Sequence, residues 1–182
     1  MRIRVEGKSG GVRVRMQFEQ HRRRWLAVRV MLGILTATGL VTGLWAVLAP
    51  RSWYTSFPGL GLRWVAVDGP FNHHLAGDVG GFFLSLGAIS AFALWRGGPA
   101  LAQAAGLGWL VFSVPHLIYH ATHKPAELGS FSYTMSLLAV LALLGLGLAC
   151  MLVPPRGPHV PDPQPIEFRF PSRRDPSRRN PR

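Results

Sequence analysis

Cysteine is almost absent from this chain, with Cys150 the only one. That excludes an intrachain disulfide, a CxxC redox pair and a thiolate cage for a metal, each of which needs at least two thiols. Acidic residues are also scarce, 8 Asp and Glu against 20 Lys and Arg, leaving a net charge of +12. No GxSxG elbow, P-loop or HExxH helix is present, so hydrolase, nucleotide and zincin chemistry have no support. A cleavable leader is not expected either. The apolar run from Trp25 is too long for a signal h-region and has no small-x-small cleavage site.

What the chain does have is four long apolar stretches, Trp25–Leu48, Val79–Trp95, Ala100–Tyr119 and Phe131–Val153. A helix rises ~1.5 Å per residue, so ~20 such residues cross ~30 Å of hydrocarbon. The expected fold is all-α: a four-transmembrane-helix bundle with a long outer first loop and disordered basic tails. The spans are placed at about 25–48, 75–95, 99–121 and 131–153, forming one transmembrane domain over 25–153. A basic segment, 1–24, precedes it and a Pro/Arg-rich tail, 154–182, follows. No sizeable soluble domain fits beside them.

The charge is unevenly distributed. Residues 1–24 carry a net +6 and residues 154–182 a net +4, and Arg29 and Arg96 complete the +12. The connection from Ala49 to Asp78 is neutral, Arg51 and Arg63 against Asp68 and Asp78, and the third connection balances Lys124 with Glu127. An even number of spans puts both tails on one side, and the positive-inside rule makes that side cytoplasmic. The expectation is a multi-pass inner-membrane protein with N-terminus and C-terminus inside. Its partners are the lipid bilayer, anionic lipids at the basic tails, and a second copy or another membrane subunit. Specific nucleic-acid binding is not expected, because no folded recognition module accompanies the charge.

Residues 1–18 alternate apolar and basic, with Ile3, Val5, Val12 and Val14 around Lys8-Ser9-Gly10-Gly11, which reads as a small hairpin. The alternative is a start at Met16, just before His21-Arg22-Arg23-Arg24. After Val153, Pro154-Pro155 ends the last helix, and the tail beyond has little to bury. Cys150 packs in the fourth span, near enough to its cytoplasmic end for palmitoylation to be a minor alternative.

Gly39-x3-Gly43 and Gly77-x3-Gly81 repeat a spacing that permits close helix contact, and Gly106, Gly108, Gly145 and Gly147 do the same for the last two spans. The first connection holds Trp53, Tyr54, Phe57, Trp64 and Phe71, with turn signals at Pro58-Gly59 and Asp68-Gly69-Pro70. Aromatic rings favour headgroup depth, so this segment is expected to lie over the bundle mouth as a lid.

Five of the seven histidines, His73, His74, His116, His120 and His123, fall at helix ends that share one membrane face. With Asn72 as a cap, His74 and Asp78 sit four apart at the start of the second span, while His116, His120 and His123 form a stripe near the end of the third. Antiparallel pairing matches their depths, so His74, Asp78, His116 and His120 are the candidate ligands of a divalent transition metal, with Asp68, Tyr119 and His123 as supporting partners. Pro115 removes a backbone donor beside His116 and is expected to perturb the helix. The competing reading makes the His/Asp cluster interhelical hydrogen-bond glue in a structural or interaction protein. Proton or quinone chemistry is a further alternative. Haem held by His74 and His120 has no other signal behind it.

The segments Pro50-Arg51-Ser52-Trp53-Tyr54, Phe57-Pro58-Gly59, Val67-Asp68-Gly69-Pro70-Phe71-Asn72, His74-Leu75, Asp78-Val79-Gly80 and Val114-Pro115-His116-Leu117-x-Tyr119-His120 together resemble bacterial four-helix membrane proteins that are distantly DoxX-like. The resemblance spans approximately Trp25 to Val153. It implies that His74, Asp78, His116 and His120 matter most, and that an acidic residue is replaced here by His73. No reaction follows from it.

Overall fold

A computed structural model describes residues 2–8, 11–17, 21–155 and 164–169. The chain separates into two compact units, one formed by 1–22 together with 157–182, the other by 23–156.

The smaller unit contains the expected hairpin. Strand β1 (Arg2–Lys8) pairs antiparallel with β2 (Gly11–Gln17), placing Val5 opposite Val14 and Glu6 opposite Arg13. A third strand, β5 (Ile166–Arg169), pairs with the other edge of β2. The sequence reading gave the whole tail 154–182 no element, and this strand is an exception to it. Ile166-Glu167-Phe168-Arg169 alternates apolar and charged in step with β2, but four residues are too few to stand out among prolines and arginines. Arg13 stands opposite Glu167, and its Nε donates to Glu167 Oε1 at 2.8 Å. The remainder of the tail lies outside the described residues.

The larger unit is helical. Helix α1 runs Arg22–Leu48, α3 His73–Arg96, α4 Pro99–Thr122 and α5 Ser130–Leu152, and each is long and apolar enough to cross a membrane. Only 22–33% of each span's apolar window is buried inside the protein. Residues such as Val41, Phe82, Val111, Ile118 and Leu138 are exposed. Helices that are apolar on the outer face as well as the inner one are stable in lipid, not in water. The chain is thus a membrane protein by its helices.

Local chemistry sets the helix ends. Asn72 Oδ1 accepts from the Leu75 backbone N–H at 3.1 Å, capping α3 as expected. Gly97 and Gly98, at φ of 70° and 101°, make the tight turn into α4, and Pro99 opens that helix. Helix α4 continues through Pro115 to Thr122. The first connection has structure of its own: a short helix α2 (Pro50–Ser56) and a miniature ladder of β3 (Pro58–Gly59) and β4 (Leu62–Arg63). The turn signal read at Pro58-Gly59 in fact closes one step later, at Leu60-Gly61, both with positive φ.

Within lipid, helix association depends on close van der Waals packing and on hydrogen bonds rather than on expulsion of water. Gly39 and Gly43 of α1 meet α3 backbone to backbone: a Cβ on Gly39 would lie 2.5 Å from Gly87 Cα, and one on Gly43 2.8 Å from Gly80 O. The partner glycines are therefore Gly80 and Gly87. The second motif read in the sequence, Gly77-x3-Gly81, does not pack, since neither position has a neighbour within 4 Å of a Cβ. Helices α4 and α5 use the same device, with Gly106 against the Gly147 carbonyl. Between α3 and α4, fully buried Trp109 donates from Nε1 to Ser90 Oγ at 2.9 Å, and Phe83, Trp109 and Phe112 pack edge to face around it.

Two outcomes test this packing. Gly39→Ala forces backbone apart and is expected to lower detergent-resistant thermal stability by about 1–3 kcal/mol, whereas Gly77→Ala, with open space, should raise it by up to about 1 kcal/mol. A double-mutant cycle of Trp109→Phe and Ser90→Ala, read by unfolding in mixed micelles, should give a coupling of about 0.6–1.7 kcal/mol.

Candidate functional site

The site is built around the last turns of α4. A spacing of four residues stacks His116 and His120 on one side of the helix, and their rings meet edge to face with centroids 4.7 Å apart. Phe112, one turn earlier, stacks on His116 at 5.1 Å. Both imidazoles are half-buried and line a cavity of about 800 Å³. His123 lies outside it. It caps α4, is exposed, stacks on Tyr119 at 4.7 Å, and shares a 2.9 Å hydrogen bond with Thr122 Oγ1.

Four of the long helices contribute to the cavity wall, with Thr42 and Trp45 from α1, Ala76 and Val79 from α3, and Ser136 and Val140 from α5 facing His116 and His120 of α4. The connection between α1 and α3 supplies the rest, including Trp53, Phe57, Trp64 and Asp68. These aromatics hold one another. Phe57 sits 6.3 Å from Trp45, 5.9 Å from Trp53 and 6.1 Å from Trp64, measured between ring centres. Two side-chain hydrogen bonds fasten the segment to its surroundings, Trp64 Nε1 donating to Ser132 Oγ of α5 at 3.0 Å and Tyr119 OH of α4 donating to Asp68 Oδ1 at 3.0 Å, and within the segment Tyr54 OH donates to the Gly69 carbonyl. Arg51 lies over the Phe71 ring at 5.0 Å. The loop is a wall of the cavity, pinned at several points.

The four residues expected to converge on one ion do not. His74 Nε2 and Asp78 Oδ2 are 3.4 Å apart, but both side chains are exposed, 89% and 51%, and neither lines the cavity that His116 and His120 face. The reason is helical phase. Helix α3 buries Ala76, Gly80 and Phe83, and His74 and Asp78 each stand two residues from that face, about 200° around a helix of 3.6 residues per turn. Matched depth on antiparallel helices does not fix azimuth. Among the described residues, no group of three or more His, Cys, Asp or Glu is placed to hold a metal ion.

Nor do the side chains of these histidines and Asp78 hydrogen-bond between helices among the described residues. The described side-chain bonds that join the long helices are Trp109 to Ser90, Gln103 Nε2 to the Met151 carbonyl at 3.1 Å, and Tyr133 OH to the His120 carbonyl at 3.0 Å. The sequence reading overlooked these because a lone Trp, Gln or Tyr in an apolar run carries no spacing signal. Trp53, in sequence only one of the aromatics of the expected lid, lines the cavity with its Nε1 buried and without a hydrogen-bond partner. A single ring in an aromatic-rich loop is indistinguishable in sequence from its neighbours. In comparison with known proteins, no family model matches this chain, and no curated protein or solved structure does either.

Proposed function

We propose that this is a multi-pass inner-membrane protein that takes a lipophilic small molecule from the bilayer into the cavity beside His116 and His120. The observation that carries the reading is the cavity's composition and place. At about 800 Å³ it falls within the ~300–1,000 Å³ range of small-molecule sites. Its walls are mostly aliphatic and aromatic, with a smaller set of hydrogen-bonding groups that includes His116, His120 and Tyr119 at one end of α4 and Asp68 of the adjoining loop. Exposed lining residues on α1 and α5, among them Val41 and Ala142, open it sideways toward lipid.

The interhelical-glue reading is less favoured, because Trp109, Gln103 and Tyr133 carry the bonds between helices. A divalent metal at His74, Asp78, His116 and His120 lacks a shared centre among the described residues. No reaction is assigned. The DoxX-like resemblance rests on the sequence motifs, and the aromatic connection is the outer lid of this proposal.

Native mass spectrometry of gently extracted protein should show a retained lipophilic adduct. Ala142→Phe, which fills the opening on α5, should remove it. His116→Ala should weaken retention about 2- to 12-fold, the loss of one hydrogen bond of ~0.5–1.5 kcal/mol, while His74→Ala should leave it unchanged. A bare wild-type protein, or equal loss with His74→Ala, sinks the reading.

The orientation half of the proposal rests on the charge asymmetry of tails and connections. Ser56→Cys, exposed on α2, should label with an impermeant maleimide in intact cells, against little background from buried Cys150. A reporter fused after Arg156 should work only as a cytoplasmic one. The opposite labelling pattern reverses the topology.

A further inference from the structure

The lining of the cavity is selective in charge. Asp68 supplies its only formally charged side chain, apart from what the two imidazoles carry, and no Lys or Arg is among the lining residues. An anionic head brought to within about 6 Å of a carboxylate at an effective dielectric of ~20 is disfavoured on the order of 100-fold. Phosphate-headed lipids and their kin are therefore poor ligands here.

The available hydrogen-bonding groups are of both kinds. His116 and His120 make ring contacts but no side-chain hydrogen bond to another described residue, so at least one imidazole nitrogen on each is open as an acceptor when neutral. A hydroxyl both donates and accepts. Each neutral imidazole carries one acceptor nitrogen and one N–H donor, so a hydroxyl pairs with both, whereas a carbonyl uses only the donor and an ammonium only the acceptor.

The rest of the lining suits an alkyl chain. Ile34 and Val41 on α1 and Ala139 and Ala142 on α5 are exposed lining residues, and all four are apolar. Resting on the binding reading above, we propose that the ligand is an uncharged, hydroxyl-headed lipid. Asp68 is its specificity residue.

The test uses the full chain in mixed micelles at pH 8, above the ordinary imidazole pKa of ~6.5. Two probes carry the same dibrominated acyl chain, one on glycerol and one on glycerol phosphate. Bromine quenches nearby tryptophan, and Trp45, Trp53 and Trp64 line the cavity, so the saturable part of the quenching reports occupancy. The glycerol probe should bind at least ~10-fold more tightly than the phosphate probe. Asp68→Asn, of nearly the same shape, should tighten the phosphate probe by at least ~10-fold, and Asp68→Glu, which keeps the charge, should not. Equal binding of both probes, tighter binding of the phosphate probe, or no response to Asp68→Asn in a variant that still unfolds cooperatively overturns the specificity assignment while the binding reading stands. Absence of saturable quenching by either probe overturns both. So does a dimer that Ala142→Phe dissociates, since a second copy then fills the opening.

Discussion

Backbone contact between α1 and α3 governs the arrangement of the larger unit. Gly39 lies against Gly87 and Gly43 against Gly80, so closely that a single methyl group at these positions meets main-chain atoms within 3 Å. Lipid offers helices no advantage in merely touching, because its tails are as apolar as leucine. Approach to backbone distance multiplies weak dispersion contacts over a full helical face and gives the pair one azimuth. Gly106 and Gly147 do the same for α4 and α5. With that rotation set, the face of α3 that carries Phe83 and Ser90 is turned to α4, where Trp109 completes it.

The cavity follows from this pairing. Residues of α1 and α3 form one side and residues of α4 and α5 another, and small side chains such as Ala76, Ala139 and Ala142 leave room between them. At one end the aromatic connection fills the space above with rings held by Phe57 and by hydrogen bonds from Trp64, Tyr119 and Tyr54. Each of those bonds joins the polar tip of an aromatic ring to a partner, the amphipathic arrangement that suits Trp and Tyr to a boundary between lipid and water. The wall is therefore both apolar and fastened.

Polar groups near this end serve different ends according to the face they occupy. His116 and His120 look into the cavity from α4, with Phe112 stacked beneath. His74 and Asp78 form a local ion-pair geometry on the exposed side of α3, and His123 caps a helix. An exposed pair four residues apart contributes only about 0.3–0.5 kcal/mol. The ionisable side chains that line the cavity at this end are consequently His116, His120, Asp68 and Tyr119.

The sequence by itself determined the four helices and nearly all their ends, because span length, Asn72, Gly97-Gly98-Pro99 and Pro154-Pro155 act through neighbours in the chain. It also determined the hairpin at Gly11, where alternation of apolar and basic residues is a local pattern. Only the tertiary structure decided which glycines pack: Gly77-x3-Gly81 has the better motif, yet Gly80 and Gly87 make the contact. It likewise separated His74 and Asp78 from His116 and His120, joined β5 to β2, and turned Trp53 into a cavity wall. The reason is common to all of these. Depth and periodicity are written along one segment, whereas the rotation of one helix against another depends on the summed fit of side chains from both, and no single stretch of sequence contains that sum.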